Sequence, residues 1–282
     1  MKKKRSNYLL LVGFLIGLGF LLYPTASDYY NSLHQSRAVA DYSAQVSNLK
    51  EDEYQELLQQ ANLYNQKLAQ RSTMSFVLSE QENEEYQALL NVTQVMSYIE
   101  IPSIRCVLPV YHGTSDAVLE AGVGHIAGSS LPVGGESTHC VLSGHRGLPS
   151  AKLFSDLDKL IEGDIFVLKT LNETLTYEVD QIRIVEPEDV SELGIVPGKD
   201  YCTLVTCTPY GINTHRLLVR GHRIANISDS GDLYITGDAV QIEPMLVAPF
   251  AAVPIFLIML AWVMRKPGGK NKRKQKRMVE EE

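Results

Sequence analysis

The sequence predicts a mainly β protein. It should form a closed or nearly closed β-barrel with short helical insertions, preceded by a helical region and flanked by two membrane segments. Three observations predict this. From about residue 95 to 225, short β-type runs alternate with Gly and Pro punctuation. Residues 28–70 carry spaced apolar residues and many good helix formers, with no Gly or Pro. Two uncharged apolar runs lie near the ends, each beside a basic cluster. The 282 residues allow one or two domains, and a composition 45% hydrophobic and 21% charged is that of a globular chain rather than a disordered one.

The first apolar run, Tyr8–Tyr23, follows Lys2, Lys3, Lys4 and Arg5 and holds 16 residues without a charge. It is short enough to be the apolar region of a signal peptide. Pro24-Thr25-Ala26 makes a poor cleavage site, which favours a retained anchor. The second run, Met245–Met264, is 20 residues long, enough to cross a hydrocarbon core of about 30 Å. Pro249 and Pro254 are tolerated inside such a helix. Basic flanks stay on the cytoplasmic side. Both ends are therefore expected inside and residues from about 28 to 243 outside, in contact with the lipid bilayer only through the two segments. The chain as a whole carries −7 although both ends are basic, so its middle is acidic and unsuited to nucleic acid.

Between the membrane segments come two amphipathic helices over 28–70. A stretch of undecided structure follows over 71–94, with an apolar patch from Met74 to Leu78 and the acceptor pattern Asn91-Val92-Thr93. The strand candidates are then SYIEIP, CVLPVY, THCVLSG, IFVLKTL, TLTYEVDQIRIVE, CTLVTC and RLLVRGHRI, with helical pieces expected at SDAVLEAG, SAKLFSDLDKL and PEDVSELG. Residues 226–243 lead back to the membrane.

The candidate chemistry lies in CTLVTCTPYGINTHRLLVRG, residues 202–221. CTLVTC reads as a strand, TPYGINT as a turn and HRLLVRG as the next strand. In such a hairpin, Cys207 and Arg216 become neighbours. Alternate residues face opposite ways, so Cys202 and Cys207 should face opposite sides, one in the core and one toward a cleft. A nearby guanidinium favours the reactive thiolate and can stabilise an oxyanion. Acyl transfer through cysteine also needs a proton shuttle, usually histidine. Spacing does not choose among the seven histidines. His145, in SGHRGLPS between a strand and an expected helix, is well placed, whereas His215 should point away from Arg216. An outside domain permits disulfides, but Cys106, Cys140 and Cys202 read as small core residues.

These residues carry a resemblance. THCVLSGHRGLPSAKLFSDLDKL followed by TLVTCTPYGINTHRLLVRGHR resembles the sortases, cysteine transpeptidases of Gram-positive cell surfaces. Thr203-Leu204-Val205-Thr206-Cys207 matches the Thr-Leu-x-Thr-Cys signature, Arg216 the arginine of the next strand, and His145 the catalytic histidine. CTPYGINTHRLLVRG, LPVGGESTHCVL and the C-terminal apolar helix resemble class C, the pilin-polymerising subgroup.

The resemblance implies a catalytic set of His145, Cys207 and Arg216, with Thr206 as a weaker, site-shaping residue. It implies transpeptidation: attack on the Thr–Gly bond of a Leu-Pro-x-Thr-Gly-like sorting signal, then transfer to a lysine of the next pilin. The thioester conserves the acyl energy, so no cofactor, ATP or metal is required. The partners implied are pilin subunits with C-terminal sorting signals or, for a sortase that anchors proteins to the wall, a cell-wall precursor. A cysteine protease and a non-catalytic membrane scaffold are the remaining alternatives. Class C sortases usually carry an Asp-Pro-aromatic lid. This chain has no proline between Pro24 and Pro102, so that motif is absent, and Phe76 with Met74 is the candidate replacement.

The expected organisation is therefore a basic cytoplasmic end with an anchor or signal segment (1–27), helices and a candidate lid (28–94), and the sortase-type barrel (95–225). A linker (226–243), a transmembrane helix (244–264) and a basic cytoplasmic tail (265–282) complete it.

Overall fold

A computed structural model of the chain describes residues 2–71 and 75–226, with the backbone alone for residues 2–11. Met74, the second apolar run and the basic tail lie outside the described residues.

Three helices come first: α1 (Lys2–Ser47), α2 (Glu51–Ala69) and α3 (Glu80–Ala88). Helix α1 takes in both the first apolar run and the first predicted amphipathic helix, with Pro24 inside it. No helix among the described residues is long and apolar enough to cross a membrane. Helix α3 falls in the stretch that the sequence left undecided. Its signal was there to read: Ser79 accepts from the Glu82 amide while the Glu82 carboxylate takes the Ser79 amide, a reciprocal capping box.

Eight strands close into a barrel: β1 (Val95–Ile101), β2 (Cys106–His112), β3 (Val123–His125), β4 (Thr138–Ser143), β5 (Ile165–Thr170), β6 (Glu173–Val185), β7 (Asp200–Thr208) and β8 (His215–Arg223). Their order around the barrel is β1-β2-β3-β4-β7-β8-β6-β5, with β5 returning to β1. The predicted strands all appear. Only the three-residue β3 had no sequence signal, being too short to show a period. One helix, α4 (Asp116–Ala121), forms at SDAVLEAG. The other two expected helices do not: SAKLFSDLDKL and PEDVSELG give only single 3₁₀ turns, Leu157–Lys159 and Ser191–Leu193. Their apolar residues are instead taken up one at a time, Phe154 and Leu157 being fully buried in the barrel core.

The core fills the barrel with Ile99, Leu142, Phe166, Leu168, Tyr177, Leu204 and Val219, and the helices pack over it. Docking is specific. The Tyr42 hydroxyl donates to the Met96 carbonyl and accepts from the Leu171 amide, at 2.9 and 2.7 Å. Asn65 on α2 makes paired bonds with the Leu131 backbone. Each removes a buried backbone group from the unsatisfied pool, where it would cost about 1–3 kcal/mol.

Candidate active site

Strands β4, β7 and β8 build the site. Strand β7 pairs with β8 antiparallel, and in that register Cys207 stands opposite Arg216 and Val205 opposite Leu218. Strand β7 pairs with β4 parallel, up to Ser143 beside Val205. Two bonds carry this alignment past the end of β4. The Gly144 amide donates to the Val205 carbonyl at 3.0 Å, and the Thr206 hydroxyl donates to the Gly144 carbonyl at 2.8 Å. The next residue, His145, therefore comes alongside Cys207. The backbone at Cys207 is thus flanked by the continuation of β4 that carries His145 and, on the other side, by Arg216 of β8, and all three residues are partly exposed.

Side-chain alternation sets the face. Cys202 and Leu204 are in the barrel core. Val205 and Leu218 belong to a separate apolar cluster with Val141 and Leu193. Cys207 has the parity of Val205 and Arg216 that of Leu218, so both share this outer face. The apolar cluster is the floor leading up to them. Thr206 has the opposite parity and is buried. It reaches the site only through its bond to Gly144. Gly144 itself is required by packing: a Cβ there would lie 2.6 Å from the Phe154 ring.

The arginine is uncommitted. Its Nη1 donates to the Asn213 and His215 carbonyls, at 3.3 and 3.1 Å, and no carboxylate pairs with it among the described residues. Arg220, four residues on, is engaged by Asp180 at 2.9 and 3.1 Å and lies over the Tyr201 ring.

The other histidines have other duties. His139 is buried, bonded to the Gly194 carbonyl and the Thr203 hydroxyl, and burial lowers its pKa. Burial likewise holds His112 down to about 4. His125 is buried against Tyr86 and Ser130. His215 faces Glu186, away from Arg216.

The remaining cysteines divide in the same way. Cys140 and Cys202 are buried and stand opposite each other across β4 and β7. Burial pushes the Cys106 thiol up to about 12 and the Cys202 thiol well above its usual range. Cys140 is shifted the other way: burial raises it, but its contacts with Cys202 and His125 outweigh that and lower it, inside the closed core.

Phe76 packs against the apolar floor on the Cys207 face. The chain before it lies on Gly128, whose φ is +86° and where a Cβ would meet the Ser75 carbonyl oxygen at 2.3 Å. A residue missed by the sequence reading also borders the site: Arg146, next to His145, whose guanidinium reaches Thr208 and Asp158. The motif SGHRG displayed it, but nothing in one dimension says what it touches. No group of three His, Cys, Asp or Glu side chains among the described residues is placed to hold a metal ion.

The Sortase domain family matches residues 99–224. The chain is similar to the crystal structure of sortase C1 from Streptococcus agalactiae, at 55% identity and a TM-score of 0.65, covering 67% of this chain and 99% of that one. It is similar to Clostridium perfringens sortase C, described with a C-terminal cell wall sorting motif, at 47% identity and a TM-score of 0.60, covering 67% and 99%. Among curated relatives, Sortase D of Bacillus subtilis (strain 168) is 34% identical over 134 residues, 46% of this chain and 65% of that protein. The chain spans between 41 and 65% of the curated relatives it matches.

Proposed function

This chain belongs to the sortase family, whose members are cysteine transpeptidases, and we propose that it is a class C enzyme that links pilin subunits through lysine isopeptide bonds. What supports the reading is the β7–β8 register that pairs Cys207 with Arg216 on an apolar-floored face, with the bonds of Gly144 leading the chain on to His145 beside them. Its similarity to class C structures at 38–55% identity supports the subgroup. One of these comes from a pilus island, and another, from Streptococcus pneumoniae, is titled for its pilin substrate specificity.

The mechanism follows from the three side chains. The Cys207 thiolate adds to the carbonyl carbon of the Thr–Gly bond in a Leu-Pro-x-Thr-Gly-like signal. Negative charge moves to the carbonyl oxygen, where the uncommitted Arg216 donates to it. The C–N bond breaks and His145 gives its proton to the leaving amine. A thioester to Cys207 remains. A lysine amine of the next pilin adds to that carbonyl and returns a proton to His145. The C–S bond then breaks, which restores the thiolate and leaves an isopeptide bond. Anchoring to a cell-wall amine uses the same site and differs only in the acceptor.

Phe76 covers the floor on which the signal's apolar residues would lie, so we assign it the resting lid, held down by the fit of Ser75 on Gly128. We propose that the apolar run Met245–Met264 tethers the catalytic domain to the outer face of the cell membrane, with the basic tail inside.

The test uses full-length protein in detergent, a Leu-Pro-x-Thr-Gly peptide and a lysine-bearing pilin domain, read by intact mass. Acyl adduct on the wild type, none on Cys207→Ala, and transfer to the pilin lysine are expected. Transfer only to a cell-wall peptide amine would make it an anchoring sortase. Release to water alone would make it a protease.

A further inference from the structure

We propose that Arg146 is a positioning residue that fixes the spacing between His145 and Cys207. The inference rests on the reading of those two as the catalytic pair. Beyond Gly144 the parallel ladder between β4 and β7 ends, and His145 sits on a loop. Its carbonyl accepts from the Phe154 amide at 3.1 Å, which holds the loop to the chain behind it, but that bond does not set its distance from the cysteine strand. Arg146 does. Its Nη1 donates to the hydroxyl of Thr208 at 3.2 Å, and Thr208 directly follows Cys207. Its Nη2 is paired with the Asp158 carboxylate. Asp158 stands in a 3₁₀ turn whose Leu157 is fully buried in the core, so the anchor is fixed. The bond from Thr206 to Gly144 and the bond from Arg146 to Thr208 thus bracket the positions 145 and 207, one on each side.

The arginine end of the tie is shielded, while its Asp158 end is exposed. The Arg146 side chain is only 9% exposed and borders a cavity of about 510 Å³ shared with Arg183, Ile184 and Tyr210. The Tyr210 ring lies 5.9 Å from the guanidinium carbon. Its Nε is buried without a partner. What the position uses is the planar fork, which reaches two acceptors in different directions at once. Lysine carries the same charge but has no fork. A bystander that merely contributed positive charge would therefore tolerate Arg146→Lys, whereas a strut would not.

The test uses the full-length protein, with Arg146→Lys, Thr208→Val, Asp158→Asn and the double variant Arg146→Lys/Thr208→Val. Steady-state transpeptidation of the sorting-signal peptide gives kcat and KM, and the rate of iodoacetamide alkylation of Cys207 gives a reading that needs no substrate. A displacement near 1 Å costs about 10²-fold in rate. Arg146→Lys should therefore lose about 10²-fold in kcat with KM nearly unchanged, and its Cys207 alkylation rate should change as well. Thr208→Val should lose less, and the double variant no more than Arg146→Lys alone, because both break one tie. Wild-type kcat and alkylation rate in Arg146→Lys would overturn the proposal, as would a loss confined to KM or a double-variant loss equal to the product of the singles. If Arg146→Lys fails to fold, the small changes Thr208→Val and Asp158→Asn decide: unchanged kcat in both overturns it. If the wild type alkylates at Cys207 but never acylates the peptide, the transpeptidase reading falls and the alkylation rates alone judge Arg146.

Discussion

The two ends of the β4–β7–β8 triplet use the same residue types in opposite ways. At one end, Cys202 faces Cys140 inside the core, Arg220 is clasped by Asp180 and stacked on Tyr201, and His139 is buried with both ring nitrogens bonded. At the other end, Cys207 and His145 are partly exposed, and among the described residues Arg216 bonds only to backbone carbonyls. Cysteine, histidine and arginine occur at both. The difference is commitment: a paired charge and a buried thiol hold the barrel together, while the same groups left without a carboxylate or full burial are available to a substrate.

The comparison predicts a graded set of outcomes. Cys207→Ala should abolish the acyl adduct in the mass spectrum, whereas Cys202→Ala should keep acylation within about threefold and instead lower stability by roughly 1–2 kcal/mol in a urea melt. Equal loss of activity in both would end the distinction. Next, Arg216→Ala should lower kcat by about 10²–10³-fold, the cost of a lost oxyanion donor. Arg220→Ala should leave kcat largely in place and lose about 1–3 kcal/mol of stability through its broken charged bonds. At the active end, Phe76→Ala removes an apolar contact of about 1–2 kcal/mol, so Cys207 should be alkylated up to about tenfold faster. Gly128→Ala, which displaces Ser75, should act in the same direction, and an unchanged rate in both would remove Phe76 from the site.

The smallest effect on activity belongs to His139. Its folded pKa is depressed by burial. The stability it contributes is thus present above the unfolded value near 6.5 and is lost as pH falls below it, because only the unfolded chain then takes the proton. His112, held down to about 4, adds to the same slope. The measurement is therefore the difference in melting temperature between wild type and His139→Gln from pH 7 to 5, with the flatter profile expected for the variant.

Much of this was legible in one dimension. Alternation and punctuation marked seven of the eight strands, and the hairpin argument alone brought Cys207 to Arg216 and turned Cys202 away. The segments around Phe154 and Leu193 read as helices because their apolar residues fall at helical spacing. They are bound singly by the barrel, and tertiary burial overrode local propensity. Phe76 was picked out as an apolar residue in a polar stretch, but the cluster it packs against, Val141, Leu193, Val205 and Leu218, joins elements far apart in sequence.

The sequence by itself determined the hairpin that pairs Cys207 with Arg216 and seven of the eight strands, because each depends on periodicity or turn chemistry within a short window. Only the tertiary structure decided that the chain carrying His145 continues alongside the Cys207 strand, that Thr206 bonds the Gly144 carbonyl, and that Arg146 spans from the histidine loop to the cysteine strand. Those facts depend on the parallel register of β4 against β7, strands 62 residues apart along the chain. A parallel pair needs a long crossover, so no local pattern encodes which residue will face which, and closure of the whole barrel sets it.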